Sequence, residues 1–181
     1  MIPKHTYQGV VIRAAKPVFA HQPTSGEGAA KRGGRFNPIG TPALYTSLKV
    51  ETVVKEVRFA LNTISYLFYH LGIACDDIAD LTNPAERKAL NISYADLSNA
   101  NWESDMLKGI LPSTHKVYYQ LRQEQNYAGI LVNSFAPEAT PDDVNLVLWT
   151  WMEVDKLPSK EPHAVTVLDQ DGLPKDAQSW T

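Results

Sequence analysis

Residues 25–47 read Ser25-Gly-Glu-Gly-Ala-Ala-Lys-Arg-Gly-Gly-Arg-Phe-Asn-Pro-Ile-Gly-Thr-Pro-Ala-Leu-Tyr-Thr-Ser47. This segment holds five glycines and three basic side chains, followed by an apolar piece that contains a tyrosine. Glycine lets backbone amides approach a ligand closely, and an arginine guanidinium matches the geometry of phosphate oxygens. The segment therefore predicts a phosphate-binding loop that a short strand anchors to a sheet.

The glycines match neither standard nucleotide-binding fingerprint. There is no Gly-x-x-x-x-Gly-Lys-Ser/Thr, and Gly26-Glu-Gly28 supplies only the first half of Gly-x-Gly-x-x-Gly. We therefore expect a phosphate-binding loop of another kind.

The composition of the chain restricts its partners. A length of 181 residues suits one domain, and a net charge of −3 argues against binding to nucleic acid or a membrane surface. The chain has one cysteine, no signal-peptide pattern at its start and no apolar run long enough to span a membrane. We expect a cytoplasmic protein whose local basic cluster binds one small anion.

Hydrophobic periodicity and turn residues outline the remaining elements. The predicted strands are residues 7–13, 43–46, 66–74, 129–134 and 144–154, with a peripheral strand at 164–168. The predicted helices are residues 48–62, 85–90, 104–110 and one that starts at 113, with loops at 21–42 and 91–101. Because strands and helices do not alternate regularly, this order predicts a mixed α+β domain.

The helix predicted at 48–62 carries a candidate carboxylate. Ser47 is its expected cap, and its apolar face is formed by Val50, Val53, Val54, Val57 and Leu61. Glu56 projects to the border of that face, where a cleft would begin. From position alone, an ordinary rim or i,i+4 charge is the leading interpretation of Glu56, ahead of a catalytic group.

Three other side chains are candidates on similar grounds. Arg35 follows two glycines and suits a phosphate or carboxylate ligand, although a solvated loop arginine fits equally. Tyr45 ends the short strand and is either a cleft or a core residue. Ser134 ends the strand at 129–134 and either binds a ligand or simply terminates the strand. No His, Cys or carboxylate spacing supports a metal site.

Several ordered segments together resemble the RES-domain family. They are Ser25-Gly-Glu-Gly-Ala, Arg32-Gly-Gly-Arg-Phe-Asn-Pro38, Pro42-Ala-Leu-Tyr-Thr-Ser47, Glu56, Asp80-Leu-Thr-Asn-Pro84 and Gly129-Ile-Leu-Val-Asn-Ser134. The resemblance covers residues 7–154, most of the chain. Phe36 stands where many members have tryptophan, and Asn133 stands where proline is common.

The resemblance implies a single RES-type domain over residues 1–181, with a motif-bearing core at about 7–154 and a peripheral segment at 155–181. It also implies a fold similar to ADP-ribosyltransferase toxins such as diphtheria toxin. Members of the family are toxins of bacterial type II toxin–antitoxin modules, paired with an Xre-like helix-turn-helix antitoxin. DNA contact is then expected of the antitoxin and not of this chain.

The resemblance further implies that NAD⁺ is the substrate and that no cofactor is needed. Arg35, Glu56 and Ser134 match the three residues that name the family, and Tyr45 matches its active-site tyrosine. Glu56 would stabilise the positive charge that develops as the nicotinamide–ribose bond breaks, and Ser134 would position Glu56 or substrate. Arg35 would bind phosphate and Tyr45 would stack on nicotinamide.

Four more residues are expected at the substrate: Gly33, Gly34, Asn37 and Ser47. The amides around the two glycines would complete the anion site.

The group that accepts ADP-ribose stays open at this point. Water would make the chain an NAD⁺ glycohydrolase and phosphate would make it a phosphorylase, which are the leading expectations. A protein side chain would make it a mono-ADP-ribosyltransferase with a cellular target. A non-catalytic nucleotide-binding module is the remaining alternative.

Overall fold

The computed structural model describes residues 4–61 and 65–169, together with residues 173 and 176. Seven strands form one mixed sheet in the order β1-β2-β5-β4-β3-β7-β6. They are β1 (His5–Ala15), β2 (Leu44–Ser47), β3 (Leu67–Asp80), β4 (Gly129–Asn133), β5 (Val144–Leu148), β6 (Met152–Glu153) and β7 (Ala164–Val167). The predicted mixed α+β class is confirmed.

The strands β1 and β3 are the two longest strands of this sheet. They pair antiparallel along most of their length, from His5 opposite Ile78 to Ala15 opposite Leu67. β3 also pairs parallel with β4 and antiparallel with β7, and β1 also contacts β2. The pairings β1-β2-β5-β4-β3 thus return to β1 and bring the ends of β2, β4 and β5 close together.

The helices are short and lie in the connections between strands. They are α1 (Glu27–Arg32), α2 (Val50–Leu61), α3 (Pro84–Ala89), α4 (Tyr94–Leu97), α5 (Trp102–Leu107) and α6 (Ser113–Tyr118). A 3₁₀ turn at Pro17–Phe19 follows β1, and a π-helix at Tyr119–Glu124 continues α6.

Two apolar cores lie on opposite faces of the sheet, because side chains alternate along a strand. On β5, Val147 packs with the cluster that holds Tyr118, Tyr127 and Trp149. Its neighbours Leu146 and Leu148 pack in the second cluster, with residues of β1 and β3. Both faces of the central strands are therefore covered.

Two expectations about α2 need correction. The helix begins at Val50, and the Ser47 hydroxyl does not cap it but donates a hydrogen bond to Asn145 of β5. Among the side chains of the helix that the structure describes, Thr52 and Val53 are buried and Val57 is half-buried, whereas Val50 and Val54 are exposed. The Leu61 side chain of the predicted face lies outside the described ones. Thr52 is buried because its hydroxyl donates a hydrogen bond to Asp143 at 2.7 Å, and this distant partner could not be predicted from helical spacing. Asn62, the predicted last residue, lies outside the described residues.

Two helices replace predicted loop. α1 lies inside residues 21–42, where Glu27 and Lys31 form an i,i+4 pair at 3.4 Å. α4 lies inside residues 91–101 and begins with a capping box between Ser93 and Asp96. Hydrophobic periodicity did not predict these helices, because a helical period is recognisable only over several turns. α1 is short and contains Gly28, and α4 has only four residues.

The segment expected to be a peripheral strand has a different position. β7 lies between β3 and β6, and all four of its residues are buried. Its small and β-branched side chains pack on both sides of the sheet, so this strand belongs to the interior.

Candidate functional site

A cavity of about 180 Å³ opens where β1, β2, α2 and the end of β4 meet. Several predicted residues line it, together with aromatic and amide side chains that the sequence did not single out. The polar and aromatic lining residues are Arg35, Phe36, Tyr45, Thr46, Ser47, Glu56, Phe135 and Asn145. The structure therefore brings Arg35, Tyr45, Ser47 and Glu56 to one place.

Glu56 is oriented by two hydrogen bonds to the same carboxylate oxygen. The Ser134 hydroxyl donates to Oε1 at 2.7 Å, and the Asn145 side-chain amide donates to it at 2.5 Å. Ser134 Oγ in turn accepts from the amide N–H of Ala136. Asn145 Oδ1 accepts from Ser47 at 2.6 Å. The carboxylate is thus exposed to the cleft and fixed in direction.

The sequence did not predict that Asn145 would contact Glu56. Asn145 is a single amide in the otherwise apolar strand β5, and this interruption is the only signal that pointed to it. Its partner Glu56 lies 89 residues earlier in the chain. Spacing along the sequence cannot reveal such a pair.

Asp143 connects α2, the helix that carries Glu56, to the segment between β4 and β5. Its carboxylate accepts from Thr52 and from Lys55 of α2, each at 2.7 Å, and from the amide of Thr140. Its carbonyl accepts from the amide of Ser134 at 2.7 Å. The hydrogen bonds from Lys55 and Thr140 hold the pKa of Asp143 far below its ordinary value. Asp143 thereby sets the distance between Glu56 and Ser134.

The loop around Arg35 has a shape that glycine alone permits. Gly33 has φ of +72°, and a Cβ on Gly34 would lie 2.5 Å from the Tyr45 hydroxyl. Their amides already donate inside the loop, Gly33 to the carbonyl of Ala29 and Gly34 to that of Asn37. These two glycines shape the loop, so an anion beside it must be bound chiefly by side chains.

Tyr45 and Asn37 brace this loop from within. The Tyr45 hydroxyl accepts from the amide of Phe36 at 2.9 Å and donates to Asn37 Oδ1 at 2.8 Å. The buried Asn37 amide donates to the carbonyls of Ala29 and Thr41. Burial raises the pKa of Tyr45 well above its ordinary value, so the hydroxyl stays protonated. Tyr45 therefore contributes its ring to the cavity, while Asn37 supports the loop from behind.

Two distant side chains hold the backbone of the same loop. Trp149 Nε1 donates to the carbonyl of Phe36 at 2.9 Å, and His115 Nε2 lies 2.8 Å from the carbonyl of Gly34. A carbonyl can only accept, so Nε2 of His115 carries the proton. Burial lowers the pKa of His115, which keeps the ring neutral at physiological pH.

Arg35 extends from this loop over the aromatic wall of the cavity. Its Nη1 donates to the carbonyl of Asn99 at 2.8 Å, and its guanidinium carbon lies 4.9 Å from the ring centre of Phe135. Burial lowers the pKa of Arg35, and the nearby Glu56 and Tyr45 oppose that shift. The site thus combines a fixed carboxylate and a guanidinium with aromatic rings, which suits a ligand that carries both an anionic and a planar cationic part.

Gly33 and Gly34 line a neighbouring cavity that shares Arg35 and Tyr45 with the first. Within the described part of the chain, no three His, Cys, Asp or Glu side chains are grouped as metal ligands. No helix among these residues is long and apolar enough to cross a membrane.

Comparison with curated proteins finds relatives in two mycobacterial species. The NAD(+) phosphorylase MbcT of Mycobacterium tuberculosis and that of Mycobacterium bovis are each 24% identical to this chain over 133 residues. The match covers 67% of this chain and 72% of each relative.

Comparison with solved structures finds the same fold in the M. tuberculosis MbcT–MbcA toxin–antitoxin complex. The TM-score is 0.60 at 23% identity, over 80% of this chain and 75% of the matched chain. The family model of the RES domain matches residues 10–168, which include the second half of β1 and all of β2 to β7. The chain belongs to the RES domain family.

Proposed function

We propose that this chain is the toxin of a toxin–antitoxin pair and that it cleaves the bond between nicotinamide and ribose in NAD⁺. The observation that carries the proposal is the Glu56 carboxylate, fixed by Ser134 and Asn145 on a cavity wall that Arg35 and Tyr45 share. The names of the mycobacterial relatives support NAD⁺ as the substrate.

In the reaction, the bond between ribose C1 and the nicotinamide nitrogen breaks, and its electron pair neutralises the cationic pyridinium ring. Positive charge then develops on the ribose, and the Glu56 carboxylate stabilises it. Because nicotinamide leaves as a neutral molecule, no strong general acid is required. The ring of Tyr45 stacks on nicotinamide, and Arg35 binds a phosphate oxygen of the substrate.

The acceptor that the relatives' names favour is inorganic phosphate. A phosphate oxygen bonds to ribose C1 as nicotinamide leaves, giving ADP-ribose 1-phosphate and nicotinamide. With water as the acceptor, the products are ADP-ribose and nicotinamide. With a protein side chain as the acceptor, the chain is a mono-ADP-ribosyltransferase.

The proposal also covers the type of fold, the partner and the location of the protein. The mixed sheet with its cleft between strand ends is of the ADP-ribosyltransferase type, and residues 1–181 form one RES-type domain. The partner is an Xre-like helix-turn-helix antitoxin that covers the cleft and carries the contact with DNA. The toxin acts in the cytoplasm, where its substrate is abundant.

The test is incubation of the purified chain with labelled NAD⁺, with and without phosphate and with a cell lysate. ADP-ribose 1-phosphate that forms only with phosphate supports the phosphorylase. Free ADP-ribose in either buffer identifies the glycohydrolase, and a discrete labelled protein band identifies the transferase. NAD⁺ that stays intact under all three conditions contradicts the proposal.

A substitution separates catalysis from binding. Glu56→Gln keeps the shape of the side chain but removes the charge, and we expect turnover to fall by about 10²- to 10³-fold, the usual effect of losing one electrostatic stabiliser. Growth arrest on expression should disappear with it. Growth arrest that persists in Glu56→Gln would favour the non-catalytic binding module.

A further inference from the structure

The helix α5 lies outside both apolar cores and packs against the loop around Arg35. None of its six side chains is buried, and none belongs to either core cluster. Met106 approaches the loop so closely that a Cβ on Gly33 would lie 2.7 Å from its sulfur. At the end of the helix, the Leu107 side chain is exposed. The position of α5 therefore depends on its contacts with the loop.

Two groups in and beside α5 contact the Arg35 guanidinium. Nη1 of Arg35 donates to the carbonyl of Asn99, which precedes the helix. The guanidinium carbon lies over the Trp102 ring, 6.0 Å from the ring centre, and also over the Phe135 ring. Arginine interacts favourably with an aromatic face up to about 6 Å. A guanidinium has five N–H donors, so these contacts leave several of them for a ligand.

Asn99 and Trp102 are themselves fixed by further contacts. The Asn99 side-chain amide donates to the Asp105 carboxylate of α5 at 3.1 Å. The Trp102 ring packs beside the His115 ring, with the two ring centres 6.4 Å apart. His115 in turn donates to the carbonyl of Gly34. The two groups that contact the guanidinium are therefore held in place before a ligand arrives.

A guanidinium that is fixed in this way favours ligand binding. A free arginine side chain has many rotamers, and ordering it on binding costs conformational entropy. A side chain that is already held in its binding orientation avoids that cost and binds more tightly. Neither Asn99 nor Trp102 lines the cavity that holds Glu56. Their effect on a ligand in that cavity must therefore pass through Arg35.

We infer that Trp102 and Asn99 are positioning residues, which hold the Arg35 guanidinium so that its remaining N–H donors face a phosphate of the substrate. This inference rests on the proposed function, in which Arg35 binds that phosphate. It gives a role in substrate affinity to α5, a segment that none of the family-like motifs includes.

The first test compares KM and kcat for NAD⁺ consumption. Trp102→Ala should raise KM about tenfold and change kcat by less than about twofold, because a phosphate contact is made equally in the ground state and the transition state. Trp102→Phe keeps an aromatic face and should restore most of the affinity. Asp105→Ala releases the Asn99 side chain and should raise KM in the same direction. The matched control is Glu103→Gln, an exposed residue of the same helix, which should behave as the wild type.

A double-mutant cycle tests whether the effect passes through Arg35. The cycle measures the Kd for NAD⁺ by isothermal titration calorimetry in a Glu56→Gln background, in which bound NAD⁺ is cleaved only slowly. With Arg35 present, Trp102→Ala should weaken binding about tenfold. In the Arg35→Ala background, the same substitution should change Kd by less than about twofold, because the group that it positions is absent.

The outcomes separate this inference from the proposed function. Unchanged KM and Kd in Trp102→Ala overturn the inference, even if the wild type cleaves NAD⁺. A loss of affinity that is equally large in the Arg35→Ala background also overturns it, because Trp102 would then act independently of Arg35. A wild type that binds NAD⁺ without cleaving it contradicts the proposed function, whereas a non-additive cycle in the same protein still supports the inference.

Discussion

At the scale of single residues, the site depends on how one carboxylate is held. Glu56 receives two hydrogen bonds on one oxygen, from side chains of two different strand ends. The sequence placed Glu56 at the border of a helix face, and the structure agrees that it reaches the cleft. The donor Asn145 could not be predicted, because pairing between α2 and β5 depends on the sheet register and not on local spacing.

The Asn145 contact gives a prediction about pH. Asn145→Asp places a second carboxylate against Glu56, and because two negative charges this close repel each other, one of the two carboxyl groups binds a proton more readily. The acidic limb of the pH–activity profile should move upward accordingly, and turnover at neutral pH should fall. The measurement is NAD⁺ consumption from pH 5 to pH 9.

Asn145→Ala is the matched control for that experiment. It removes the same hydrogen bond without adding a charge, so activity should fall with no upward movement of the acidic limb. Identical profiles for the two variants would show that Asn145 does not contact Glu56 in solution.

At the scale of elements, the correct predictions are those with strong local signals. The helix α6 begins at Ser113 directly after Pro112, and Asn83 with Pro84 starts α3. The end of the preceding helix was predicted less well, because α5 ends at Leu107 and not at residue 110. The face of α2 was misjudged, because burial of Thr52 is decided by a partner elsewhere in the chain. That partner is Asp143, which joins α2 to the β4–β5 connection through Thr52 and Lys55.

The Asp143 contacts predict a stability that depends on pH. Its folded-state pKa is lowered, so its contribution is present above the unfolded value of about 3.9 and is lost as the pH falls below it. Asp143→Asn should lower the free energy of unfolding by about 2 kcal/mol at pH 7, because buried donors lose a charged acceptor. Urea denaturation should show this difference shrinking towards pH 3.

The neighbouring Asp142 provides the control. It is exposed, so Asp142→Asn should change stability by less than about 0.5 kcal/mol at either pH. A loss in Asp143→Asn that is equally large at pH 3 and pH 7 would contradict the ionic explanation.

At the scale of the whole molecule, the sheet recruits strands from both ends of the described chain. The class of fold followed from the order of elements, but the position of β7 did not, since a short apolar run carries no information about its neighbours. β7 pairs with β3 beside the β1–β3 ladder and is buried throughout. The core formed with β1 and β3 therefore includes residues that lie far downstream of Ser134 in the chain.

This position of β7 predicts a large effect of substitution there. Val165 is fully buried, and Val165→Asp would place an unpaired charge in the core and cost at least about 4 kcal/mol, a large part of a typical stability of 5–15 kcal/mol. Circular dichroism should show loss of the cooperative thermal transition or a steep fall in Tm. Leu168→Asp, one residue beyond the strand and half exposed, should shift the transition only slightly.

The bond from Trp149 to the loop has a consequence for how the protein is made. The indole donates to the carbonyl of Phe36, a residue 113 positions earlier. During translation, Arg35, Tyr45, Glu56 and Ser134 all leave the ribosome before the tryptophan that holds their loop in place. A nascent chain therefore has these four side chains before it has the contact that holds their loop, and the cleft is complete only once synthesis has passed β5.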